Sequence, residues 1–218
     1  VGYVRQIRRG KHPCTRFAQQ LSPWRFWALP VSGIAHESHN HETVARATTD
    51  VPEHPVLTRS NVETLYGLID QSGQPVSRDD FRGRFALVVF GYTGCPDVCP
   101  TALTHVTSVM EKLGDRAKYV KPVFVTFDPA RDTAEVLGEY VSHVDERTIA
   151  LTGSPEKVRQ VQHAFGVLAI PGPREPDGTY FIAHSAAKYL ISPDGKHLQS
   201  FDHDIAPEKI EGYLQNIF

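Results

Sequence analysis

Methionine is almost missing from this sequence: Met110 is the only one among 218 residues, which excludes a soft-metal site built from a thioether-rich tract. Cysteine is scarce too. Three cysteines are too few for a disulfide framework, so a chain of this length has to hold itself together by burying apolar surface. Neither sign of charge predominates, with 23 Lys and Arg against 25 Asp and Glu, and nothing resembles the clustered basic face that nucleic acid requires. The apolar stretch 26–34 has about half of the ~20 residues a spanning helix needs and contains Pro30 and Gly33, so it is no complete membrane anchor. No internal repeat or low-complexity tract is visible.

What is present divides into two parts. Residues 1–30 carry Arg5, Arg8, Arg9, Lys11, Arg16 and Arg25 and no acid, the order of a targeting segment when an apolar stretch follows. A polar tract with His36, His39 and His41 reads as linker. Residues 1–55 are therefore expected to be a targeting and linker segment, and residues 56–218 a single α/β domain.

Within that domain, FALVVFG at 85–91 is a continuous apolar run suited to a strand covered on both faces. Leu103, Val106, Val109, Met110 and Leu113 recur at helical spacing before the stop signal Gly114. Strands are predicted at 119–127 and 148–151, and a helix at 132–144 opening on acidic residues. Another helix is capped by Ser154 with Pro155 at its first position and ends near Gly166. Strands at 180–183 and 187–192 flank a short connection, Pro193, Asp194 and Gly195 turn the chain into 196–201, and an amphipathic helix closes it at 206–217.

The chemistry concentrates at 90–103, FGYTGCPDVCPTAL, between the predicted central strand and its following helix. Ligands gather at that end of the strands in open α/β sheets. Cys95 lies in the turn and Cys99 precedes Pro100, so both sulfurs are expected to feel a helix N-terminus that lowers thiol pKa. With three residues between them, the two cysteines suit either one shared ion or a reversible disulfide. A copper ion would also want imidazole, and the domain offers His105, His143, His163, His184, His197 and His203. Spacing alone does not choose among them, although His184 sits in a connection with Ser185 beside it, where a loop can cover a strand-end cleft. Asp128 reads at least as well as a chain-turning residue with Pro129 as it does as a part of the metal site, and Asp97 as a group tuning the thiolates or a surface charge; neither is counted as a ligand.

The motif FGYTGCPDVCPTAL, the segment TFDPARDT at 126–133, LTGSPEKV at 151–158 and AHSAAKYLISPDG at 183–195 resemble, in order, the shared blocks of the Sco/SenC family. That resemblance implies a thioredoxin-like fold, a central mixed sheet flanked by helices, with an added hairpin carrying a ligand histidine. It implies copper, Cu(I) or Cu(II), held by Cys95, Cys99 and His184, with Cys95 and Cys99 doubling as a redox pair. It also implies a role in maturing the dinuclear copper centre of cytochrome c oxidase. The implied partners are the copper-bearing subunit of that oxidase and thiol-disulfide exchange partners. A thiol-disulfide reductase that keeps the oxidase's cysteines reduced is the alternative, and the sequence does not separate the two. The bacterial periplasm or the mitochondrial intermembrane space is the expected location, with membrane association through the N-terminal segment. One departure concerns the site: the family usually has Asp before the ligand histidine, and here that residue is Ala183. If such a carboxylate orients the imidazole, its loss would weaken metal binding by about 10 to 100-fold.

Overall fold

The computed structural model describes residues 62–96 and 98–218. The expectations for residues 1–55 and for Asp97 lie outside the described residues.

The apolar runs of the sequence become the middle of a six-stranded mixed sheet. Strand β2 (Phe85–Gly91) and β3 (Val120–Thr126) pair in parallel in register from Phe85 against Val120 to Gly91 against Thr126. Strand β4 (Ile149–Thr152) continues the parallel set, and the short β1 (Ile69–Asp70) closes that edge antiparallel to it. On the other side β7 (Lys188–Ile191) and β8 (His197–Phe201) add antiparallel strands, giving the order β1-β4-β3-β2-β7-β8. Gly195, at φ 89°, supplies the left-handed residue of the predicted turn between them.

Alternation along the strands divides the core between the two faces. Leu87, Val89, Phe124 and Leu190 pack with α1 (Val98–Leu113), α2 (Ala134–Ser142) and α4 (Pro207–Gln215). Val88, Phe90, Val125 and Tyr189 pack with Val158, Val161 and Phe165 at α3 (Pro155–Ala164) and its end. Each fully buried side chain of this size is worth about 1.5–3 kcal/mol, so the central strands are the most firmly held part of the chain. This is the thioredoxin-like α/β arrangement.

Three differences from the sequence reading bear on the site. Helix α2 begins at Ala134, because the Thr133 side chain caps it by accepting from the Val136 amide. Asp132 therefore stays outside the helix. The histidine hairpin is formed by β5 (Ala169–Pro171) and β6 (Ile182–His184), a two-stranded antiparallel ribbon apart from the main sheet. His184 ends β6, so it does not sit in a connection between strands. Third, β5 answers no predicted strand: with three residues, one of them Pro171, it is too short to show a period.

Candidate metal centre

Three chain segments meet at one end of the sheet because of its topology. Strand β2 runs out into the 92–96 turn ahead of α1, and β3 beside it runs out into the turn 127–132. Strand β7 is antiparallel to β2, with Val89 opposite Lys188, so the chain entering it from β6 arrives at that same end. The cysteine turn, the turn after β3 and the histidine strand are thus neighbours.

Cys95 lies in the turn, where its amide donates to the Tyr92 carbonyl at 3.1 Å, and Cys99 is the second residue of α1. Both are buried and neither is in a disulfide. Cys99 is set against the last residue of β2, where a Cβ on Gly91 would come within 2.7 Å of its sulfur and of the Phe124 ring. Glycine is what lets the helix carry its thiol that close to the strand.

His184 reaches in from β6. Its Nε2 lies 3.9 Å from the Cys95 sulfur and 3.6 Å from the Cys99 sulfur, and the three ligand atoms all lie within 4.8 Å of one another. Its Nδ1 stands 2.9 Å from the Ser185 carbonyl. A carbonyl only accepts, so Nδ1 carries the proton and Nε2 turns a lone pair toward the sulfurs. Phe127 stacks obliquely on the ring at 4.7 Å and Tyr92 meets it edge-on at 5.9 Å, while the Tyr92 hydroxyl accepts from the Ile182 amide at 3.1 Å. The imidazole is held in place before any ion arrives.

The spacing fits a single ion. Metal–sulfur bonds of about 2.3 Å and metal–nitrogen bonds of about 2.0 Å place S and N ligands roughly 3.5–3.7 Å apart, close to the separations here. Two thiols and an imidazole suit soft and borderline metals. No other group of three or more metal-ligating side chains occurs among the described residues. His143 bonds the Glu139 carbonyl and His197 bonds Ser200, while His163 and His203 are solvent-exposed. His105 is half-buried in α1, where burial lowers its pKa.

Two expectations change. Burial pushes the Cys99 thiol well up, with the neighbouring Cys95 and Asp132 adding to the rise and a backbone hydrogen bond at Tyr92 opposing it. Desolvation therefore outweighs the helix N-terminus that was expected to lower it. The Ala183 side chain is exposed, on the face of β6 opposite His184, because side chains alternate along a strand. A carboxylate there would point away from the imidazole, whose Nδ1 already has the Ser185 carbonyl.

Several residues at the site went unread in the sequence. Buried Asp132 accepts from the Thr93 amide at 3.1 Å, the Thr93 hydroxyl at 2.6 Å and the Thr126 hydroxyl at 2.5 Å. Asp128 is no metal ligand here: it forms an ion pair with Arg131 and accepts from the Tyr180 hydroxyl at 2.8 Å. Only the TFDPARDT motif as a whole hinted at these roles.

The SCO1/SenC family model matches residues 55–218. A "SCO2-like protein" of Rickettsia typhi is 38% identical over 152 residues, covering 69% of this chain and 75% of that protein. The "Protein SCO2 homolog, mitochondrial" of Mus musculus is 37% identical over 147 residues, covering 66% of this chain and 58% of that protein. Among solved structures, Bradyrhizobium japonicum ScoI with copper bound superposes with a TM-score of 0.65 at 34% identity, over 70% of this chain and 97% of that one.

Proposed function

The chain belongs to the SCO1/SenC family, and from that premise we propose that it carries copper on Cys95, Cys99 and His184 and delivers it during maturation of the dinuclear copper centre of cytochrome c oxidase. The observation that carries the reading is the convergence of two thiol sulfurs and an imidazole lone pair within 4.8 Å. That donor set is soft enough for Cu(I) and includes the imidazole that Cu(II) favours. A solved relative, ScoI, has copper bound, and a more distant member is described as belonging to a family of cytochrome c oxidase assembly proteins.

Copper is cargo in this reading. The thiol protons leave as it binds, His184 keeps its Nδ1 proton on the Ser185 carbonyl, and release to a partner reverses both steps. The partner is the copper-bearing subunit of the oxidase, which must supply ligands that take over from the three here.

A second reading rests on the closeness of the Cys95 and Cys99 sulfurs, which lie within 4.8 Å of each other. In it the dithiol reduces a disulfide of the oxidase subunit, giving up two electrons and two protons and closing its own disulfide. Two mixing experiments separate the readings. Copper-loaded protein is added to the reduced, copper-free copper domain of the subunit, and copper-free dithiol protein is added to that domain in its disulfide form. Delivery predicts the absorption of a dinuclear copper centre in the first mixture. Reduction predicts new thiols on the subunit in the second, and silence in both rejects both readings.

Both activities suit a compartment outside the reducing cytoplasm, the bacterial periplasm or the mitochondrial intermembrane space. Among the described residues no helix is long and apolar enough to cross a membrane, so membrane association would fall to residues 1–55. Recovery of the mature protein from the cytosol alone would overturn this assignment.

A further inference from the structure

The turn 128–132 supplies none of the three ligand atoms, yet it holds the two halves of the site from opposite sides. Toward the cysteines, the Asp132 carboxylate takes three hydrogen bonds, two from Thr93 and one from Thr126. Thr93 stands two residues before Cys95, and a buried carboxylate fixed by three donors leaves that stretch little freedom. Toward the histidine, Asp128 takes the Tyr180 hydroxyl and pairs with Arg131, whose Nη1 donates to the Tyr180 carbonyl at 3.1 Å. The Arg131 guanidinium also lies 3.7 Å from the Tyr180 ring centroid and 5.6 Å from that of Tyr92. Tyr180 stands two residues before the ribbon strand that ends in His184, and both its side chain and its main chain are tied to this turn. The turn is itself closed, with the Arg131 and Asp132 amides donating to the Asp128 carbonyl at 3.1 and 2.9 Å.

We propose that this turn is a two-armed clasp that fixes the gap between the thiols and the imidazole, with Arg131 and Tyr180 positioning His184 and Asp132 positioning Cys95. The inference rests on the reading of His184 as a copper ligand. On this reading the TFDPARDT motif serves geometry rather than coordination. Because the two arms are chemically separate, they fail separately. Loss of the histidine arm frees the imidazole and leaves the thiols in place, whereas loss of the cysteine arm loosens the thiols that both oxidation states of copper need.

The test compares Tyr180→Phe and Arg131→Lys with Asp132→Asn. Tyr180→Phe keeps the ring and removes one donor, and Arg131→Lys keeps the charge and removes the planar fork. Both should lower Cu(II) affinity about 10-fold or more, as loss of an orienting partner does, while Cu(I) affinity stays within about threefold and the thiolate-to-Cu(II) band shifts. In the metal-free protein the ring-proton resonances of His184, displaced by the currents of Phe127 and Tyr92, should move toward solvent-exposed values. Asp132→Asn should lower both affinities together and leave those resonances unmoved. Equal losses for Cu(I) and Cu(II) in the Tyr180 and Arg131 variants, with unmoved His184 resonances and only a lower melting temperature, would make the turn a purely structural feature. Absence of copper binding by the unaltered protein would reject the copper reading instead, and the metal-free resonances would still decide for or against the clasp.

Discussion

The two sides of the metal centre are built to different standards. The cysteines belong to the core: Cys99 packs against Gly91 and Phe124 where β2 meets α1, and both thiols are buried among the central strands. His184 belongs to a two-stranded ribbon whose outer face leaves Leu168, Ile170 and Phe181 69%, 63% and 60% exposed. An isolated two-stranded ribbon is marginal in water. This one is held by a few bonds, from Ser185 to the Leu168 carbonyl, from Gly172 to the Phe181 carbonyl, and to Tyr92 and Arg131. In the proposed role the difference would let the protein bind an ion firmly and still release it: two ligands would be fixed with the fold, while the third sits on an element that can open without unfolding the rest.

The largest effect should come from the fixed side. Cys99→Ala removes a thiolate for which neither oxidation state has a substitute among the described residues, so chelator competition should show copper affinity down by roughly a thousandfold or more. Retention of affinity within about tenfold would mean the cysteine side is not the anchor.

Next comes the close approach at β2. Gly91→Ala places a methyl about where the Cys99 sulfur and the Phe124 ring now lie, both within 2.7 Å, and overpacking of this kind costs about 1–3 kcal/mol. Thermal unfolding of the metal-free domain should show the loss, together with weaker binding of Cu(I) and Cu(II) alike. An unchanged melting temperature would show that the strand and helix yield more easily than their packing implies.

The same asymmetry sets the pH dependence of loading. Burial raises the Cys99 pKa, so its thiol is protonated at neutral pH and binding must expel that proton. Affinity should rise with pH by about tenfold per unit for each proton displaced, until pH passes the metal-free pKa. Proton release followed by pH-stat titration checks this, and a pH-independent affinity between pH 6 and 8 would contradict it. Stability without metal runs in the same direction. Burial lowers the pKa of His105 and His197, so the unfolded chain takes up protons first and stability falls as pH drops below their unfolded value of about 6.5.

The smallest effect is expected at the departure from the family pattern. Ala183→Asp puts a carboxylate on the exposed face of β6, away from the imidazole, and should change Cu(II) affinity by less than about threefold, read by chelator competition. A gain near the 10 to 100-fold expected of an orienting partner would show that the ribbon twists to bring residue 183 onto the ring.

Much of the fold was legible because its signals are local. The apolar run at 85–91 and the Ser154-Pro155 helix start each follow from a few consecutive residues, and each formed as read. The turn at Pro193, Asp194 and Gly195 did too. The cysteine pair at a strand-to-helix junction was legible for the same reason. His184 was not separable by spacing from five other histidines, and only the resemblance singled it out, because its place depends on β5, a strand with no period to read. Asp132 looked like an acid in a helix's first turn, but its partner Thr93 lies 39 positions away. The Cys99 pKa was misjudged in the same manner: the helix terminus is visible locally, and the burial that outweighs it is a property of the packed core.

The account stands on the claim that His184 is the releasable third ligand beside two fixed thiols. Its most direct measurement is a paired titration of the unaltered protein and His184→Ala with Cu(I) and Cu(II), followed by optical absorption and chelator competition. The account predicts that Cu(II) affinity falls by about 100-fold or more and the thiolate-to-Cu(II) band is lost, while Cu(I), content with two soft donors, keeps most of its affinity. A variant that holds Cu(II) as tightly as the unaltered protein, with the same band, would contradict it.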